Sequence, residues 1–104
     1  MAKTATQLAT GALSTTLTTT LYTAPSLTPA AIVKEIIISN NNTTTARNVT
    51  ITINSRNVMA AQPVSPNSSV ILSLSTVMSS AQTIQGGQDT GTDCDYIMSG
   101  IVYS

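Results

Sequence analysis

The sequence predicts an all-β protein of antiparallel strands. Three observations carry that expectation. Apolar residues recur at period two rather than 3.6. Turn-forming residues interrupt the chain roughly every eight to fifteen residues. No stretch keeps helical spacing for more than about one turn, and only 75–82 ("STVMSSAQ") offers even that. The chain has 104 residues, enough for a single domain over 1–104 with one core.

The strands follow in order. Residues 5–13 and 16–23 are rich in Thr, whose branched Cβ suits an extended backbone. Residues 1–20 are either the first strand or an extended N-terminal arm that orders on a partner. Leu8, Leu13 and Leu17 stand there among small polar residues. They are candidate partner contacts, or else they fill the core face of that strand. Pro25 and Pro29 end this region. In "IVKEIIIS" (31–39), strict alternation puts Ile32, Lys34, Ile36 and Ile38 on one face and Val33, Glu35 and Ile37 on the other. The polar run "NNNTTT" leads into 47–55. There Val49, Ile51 and Ile53 face a core while Asn48, Thr50, Thr52 and Asn54 face water.

A short strand over 57–62 ends at Pro63 and Pro66. Over 69–75, Val70, Leu72 and Leu74 alternate with Ile71, Ser73 and Ser75. Strands over 81–86 and 94–103 complete the set. The last carries Cys94, Tyr96 and Met98 on one face and Asp95, Ile97, Ser99, Ile101 and Tyr103 on the other. Both of its faces are apolar, so one of them is expected to meet a second layer or a neighbouring subunit. Tyr103 joins the candidate contacts. Gly100 within it signals a bulge or a close backbone approach. About seven or eight short strands with turn signals between them make an antiparallel β-sandwich, either jelly-roll or immunoglobulin-like.

Composition narrows the function. Charged residues are 8% and the formal net charge is zero, against about 25% charged in an ordinary domain. Thr, Ser, Asn and Gln therefore make the polar surface, with little charge repulsion to keep copies apart. There is no Trp and no Phe, only three Tyr. The core is expected to be aliphatic and modest, and helped by association. Lys3, Lys34, Arg47 and Arg56 are scattered, so no basic patch addresses nucleic acid. No apolar run approaches the roughly 18 residues that span a membrane. The N-terminus has no continuous apolar segment of the signal-peptide kind. A lone Cys94 excludes an intramolecular disulfide and fits synthesis in a reducing cytoplasm.

The segment "GGQDTGTDCD" (86–95) holds three of the four acidic residues, including Asp89-Thr90-Gly91. That tripeptide carries the catalytic carboxylate of aspartic proteases. Their chemistry needs a buried, rigid pair of carboxylates sharing a proton. Here Gly86-Gly87-Gln88 stand where an apolar strand is required, and the tripeptide falls late in the chain. The protease reading is set aside. Asp89, Asp93 and Asp95 make a weak calcium candidate, because calcium takes six to eight oxygens and three carboxylates can begin a site. The bland alternative is a solvated turn. With no His in the chain, a Ser, Thr or Cys nucleophile lacks its usual base, and a zinc centre lacks ligands. No catalytic residue and no cofactor is assigned.

The stretches "LYTAP" (21–25), "AAIVKEIIISNNNTTTARNVTITIN" (30–54), "VSPNSSVILSLSTVMSSAQTIQGG" (64–87) and "MSGIVYS" (98–104) together resemble small β-sandwich structural proteins of tailed bacteriophages. The resemblance implies a non-enzymatic virion component made in the bacterial host cytoplasm. Its first expectation is a capsid decoration, or cement, protein that bridges neighbouring copies of the major capsid protein. The alternatives are another neck or tail component, or a receptor- or glycan-binding tail module. Symmetric sites on a particle imply a homo-oligomer, trimer or dimer.

Overall fold

The computed structural model describes residues 2–104, which form eight strands and the segments that join and flank them. Residue 1, the first of both the expected domain 1–104 and the arm 1–20, lies outside the described residues. The strands are β1 (Lys3–Ala12), β2 (Thr20–Thr23), β3 (Ala31–Asn40), β4 (Arg47–Ile53), β5 (Arg56–Val64), β6 (Ser68–Met78), β7 (Thr83–Gln88) and β8 (Cys94–Tyr103). They form two four-stranded sheets, in the orders β1-β8-β3-β6 and β2-β7-β4-β5. The protein is an all-β, antiparallel β-sandwich.

The pairing decides between the two sandwich plans. β1 pairs with β8, β2 with β7, β3 with β6 and β4 with β5, all antiparallel. The chain is thus one long hairpin, folded at Asn54-Ser55 and rolled across both sheets. That is the jelly-roll arrangement. Asn54 and Ser55 both have positive φ, at 49° and 62°. A two-residue turn with that backbone matches the right-handed twist of the strands it joins.

The core lies between the sheets. β4 contributes Val49, Ile51 and Ile53, and β8 contributes Cys94, Tyr96 and Met98. Both sets face inward as strict alternation requires. The largest fully buried side chains also include Leu13, Ile36, Ile38, Met78 and Ile84. With no Phe or Trp in the chain, these aliphatic residues supply most of the hydrophobic stabilisation.

β3 departs from simple alternation. Its register with both neighbours shifts between Val33 and Glu35. Against β8 the extra residue is Lys34 of β3, and against β6 it lies in the Leu74-Ser75 pair opposite Lys34; each odd step reverses the parity of everything before it. Ala31, Val33, Ile36 and Ile38 are therefore buried together, while Ile32 stands outward with Glu35 and Ile37. The expectation that Ile32 shares a face with Ile36 and Ile38 is corrected by this bulge.

Within the segment read as strand or arm, Lys3–Ala12 is β1, paired along its length with β8. Gly100 of β8 is a close approach: a Cβ there would strike the Ile32 carbonyl oxygen of β3, with Leu8 Cδ1 of β1 at 3.2 Å. The loops β1–β2, β3–β4, β5–β6 and β7–β8 gather at one end of the sandwich.

Candidate functional site

Two places on the molecule invite a functional reading: the acidic loop at one end, and the outward face of the β1-β8-β3-β6 sheet.

The acidic loop is built as a latch. Arg47, at the start of β4, reaches across to Asp93, with Nη2 at 2.7 Å and Nε at 2.8 Å from Oδ2. Its Nη1 donates to Thr90 Oγ1 at 2.6 Å. The Asn42 side-chain amide of the β3–β4 loop donates to the same Asp93 oxygen at 3.2 Å. The hydrogen bond from Arg47, then that from Asn42, hold the Asp93 carboxyl below the usual carboxylate range. Gly91 makes the turn possible, with φ at 75° and with Arg47 Nη2 and Asp93 Oδ2 each 3.0 Å from where a Cβ would sit.

The other two carboxylates are separately engaged. Asp89 Oδ1 accepts the backbone N–H groups of Asn48 and Thr90, and Asp95 Oδ2 accepts the Asn41 amide. Among the described residues no three acidic, Cys or His groups gather as a metal site would require. The three carboxylates read as a calcium candidate, Asp89, Asp93 and Asp95, are thus not gathered on one point among the described residues. Successive Asp side chains of this loop turn to different donors, so sequence proximity does not make a cage.

Beneath the loop, two fully buried amides tie the end together. Gln88 Oε1 accepts the Cys94 N–H and its Nε2 donates to the Thr90 carbonyl. Asn40 Nδ2 donates to the carbonyls of Thr45 and Val64, and its Oδ1 accepts the Asn42 N–H. Among the described residues, no buried side-chain polar atom is left without a partner. The end is a satisfied structural network. Burial pushes the Cys94 thiol up, and the nearby Asp93 charge adds to this. An inert core thiol results.

The outward face of the β1-β8-β3-β6 sheet is different. Ile71 of β6, Ile37 of β3 and Ile97 of β8 are register partners, and so form a row straight across the sheet. Val77, Ile32 and Ile101 form a second row. Between them lie Ser73, Glu35 and Ser99, and the Lys34 ammonium bonded to Ser75 Oγ at 3.0 Å. Ile71 is 60% exposed, Val77 55% and Ile97 40%. These are three of the four large apolar residues on the described surface, Leu17 at 43% being the fourth.

The other sheet is polar outside. Asn48, Thr50 and Thr52 of β4 and Gln85 of β7 face solvent there, and no large apolar residue of that sheet is exposed. A protein able to make one outer face from Thr and Gln has placed isoleucines on the opposite one. Scattered exposed apolar residues are normal, but two aligned rows form a patch of the kind that marks an interaction surface.

The four candidate contacts separate. Leu13 is 1% exposed and fills the core. It is removed from the candidates because a side chain buried in the core has no surface to offer a partner. Leu8 is half-buried and packs against the core beside Gly100. Leu17 projects from the β1–β2 loop. Tyr103 is half-buried at the end of β8, opposite Lys3 of the edge strand β1. Ile71, Val77, Ile32 and Ile37 were missed in the sequence reading. Their signal was a pair of strands, β3 and β6, with isoleucine or valine on both faces. No pocket opens on the described surface.

No protein-family model matches the sequence, and no curated protein matches it. Solved structures do match in shape. The C-terminal domain of EclA, described as a sugar-binding protein, aligns with 96% of this chain and 75% of its own at TM-score 0.54 and 13% identity. A CBM35 from Paenibacillus barcinonensis aligns over 100% of both chains at TM-score 0.44 and 13% identity. An exo-β-1,3-galactanase from Phanerochaete chrysosporium, solved with galactose, aligns over 94% of this chain but 29% of its own, at 0.43 and 17%. The EclA likeness agrees with the β-sandwich fold.

Proposed function

We propose that this chain is a non-catalytic binding module that works through its surface as a structural part of a phage particle. The observation that carries the reading is the outward face of the β1-β8-β3-β6 sheet. Two rows of isoleucine and valine there have no covering layer among the described residues. Burying such rows against another molecule releases ordered water at roughly 25 cal/mol per Å². The rest of the molecule is consistent with that role. The chain contains no His, its charge is sparse, and its polar loop end is internally satisfied. The phage context rests on the sequence resemblance.

Within a particle, two roles compete. Shell decoration would spread copies over the capsid and bridge its subunits. A receptor-binding tail module would instead hold host glycan. One observation favours the second, the match in fold to a domain described as sugar-binding. The exposed Asn41, Thr43, Thr44 and Asn67 at the loop end carry the hydroxyl and amide groups that pair with sugar hydroxyls.

A glycan array with the purified chain, together with the position of the protein in a reconstructed particle, tests both. Selective glycan binding with density at a tail tip supports the attachment role. Density spread over the shell with no glycan bound supports decoration. If antibody to the chain labels no particle and no glycan is retained, the proposal fails.

A further inference from the structure

We infer that the apolar sheet face is covered by a second copy of the same chain, stacked about a two-fold axis that passes between Lys34 and Glu35. This rests on the reading of that face as a binding surface and names its occupant.

The first argument is charge register. On β3 the two apolar rows stand at Ile37 and Ile32, and the point equidistant from them falls between Lys34 and Glu35. A two-fold axis at that point, lying in the interface and across the strands, turns the chain end for end. It lays the Ile71–Ile37–Ile97 row of one copy on the Val77–Ile32–Ile101 row of the other. The same rotation sets Lys34 over Glu35 of the second copy, and Glu35 over its Lys34. Among the described residues neither side chain is in an ion pair: the salt bridge there is Arg47–Asp93, and Lys34 is held by the Ser75 hydroxyl. A lone Lys and a lone Glu in the middle of an apolar face oppose burial unless each meets its opposite. The end-for-end stack supplies both pairs at once, with isologous contacts of the kind most homodimers use.

The second argument is area. β1, β3 and β8 have 10 residues each and β6 has 11. At about 3.3 Å per residue and about 4.8 Å between strands, the face measures roughly 600 Å². A pair would bury roughly 1,200 Å² in projection, and more once side chains interdigitate. Specific interfaces begin at about that size. Stacked twisted sheets align within about 30° of one another, so rows on the two faces stay in contact across the sheet. Zero net charge leaves no long-range repulsion against self-association.

Sedimentation equilibrium of the full chain over a wide concentration range tests the inference. The wild type should be a dimer. Ile97→Lys and Ile71→Lys should be monomers whose urea midpoints match the wild type at high dilution, because neither side chain is in the core. Lys34→Glu and Glu35→Lys should each weaken dimerisation at least about tenfold through like-charge contacts. The double exchange Lys34→Glu/Glu35→Lys should restore it to within a few-fold.

A wild type that stays monomeric at every concentration, a trimer, a dimer indifferent to Ile97→Lys, or a double exchange no better than either single change would each overturn the stacked pair. The outcomes also separate the two proposals. If the wild type is monomeric but Ile97→Lys removes the chain from particles, the face binds something else and only the second copy is refuted. If Ile97→Lys changes neither self-association nor particle content, the face has no binding role.

Discussion

Ile37 of β3 and Ile71 of β6 are direct cross-strand partners on the solvent side of their sheet, and Ile71 is 60% exposed. One position along β3, Ile38 pairs with Val70 and is fully buried. Two adjacent isoleucines of similar sequence context thus point into water and into the core.

That contrast predicts different losses on truncation. Ile38→Ala should cost about 2–5 kcal/mol, the transfer of the removed groups plus the cavity they leave. Ile71→Ala should cost less than about 1 kcal/mol at high dilution. Urea unfolding of both variants checks this. Equal losses would mean that the outward face is already covered within the chain.

Gly100 should not tolerate a side chain. A Cβ there meets the Ile32 carbonyl oxygen, which is backbone and is fixed in the β3–β8 pairing. Gly100→Ala should therefore destabilise by about 2 kcal/mol or more through overpacking. Thermal melting reads the loss, and an unchanged midpoint would show that the two strands separate at little cost.

Acid should weaken the loop latch in a defined direction. The folded-state carboxyl of Asp93 is depressed by Arg47 and Asn42. Its contribution is complete above the unfolded value of about 3.9 and is lost as pH falls through the lower folded value. Stability of the wild type should therefore drop more steeply below about pH 4 than that of Asp93→Asn. Denaturant midpoints at several acidic pH values compare the two. Parallel curves would remove Asp93 from the acid response.

Cys94 should be silent in the native protein. Its side chain is fully buried and its thiol is pushed up by desolvation. A disulfide reagent at neutral pH should label it only as fast as the protein opens, and fully in denaturant. Rapid labelling without denaturant would place the thiol at the surface.

Much of the fold was legible in the residues. The alternation in "NVTITIN" and "SVILSLS" located β4 and β6, and the inward side of β4, because the side-chain period of a strand is a local property. The double-faced last strand left a second layer or a neighbouring subunit as the choices for its outer face. The candidate site was less legible. Asp89, Asp93 and Asp95 looked like a cluster because they are close in the chain, and the structure sends them to Asn48, Arg47 and Asn41 on other elements. Leu13 looked available because small residues flank it, yet it is buried in the core.

The sequence by itself determined seven or eight strands, most of the connecting segments and the sparse, neutral surface, since these follow from local periodicity and composition. Tertiary structure alone decided three things. It chose the jelly-roll over the immunoglobulin plan, because both share the same local pattern and differ only in which distant strands pair. It set the irregularity at Lys34, where β3 carries one residue more than β8 and β6 one more than β3. It brought Ile71, Ile37 and Ile97 into one row, because residues so far apart in the chain become neighbours only when three strands lie side by side.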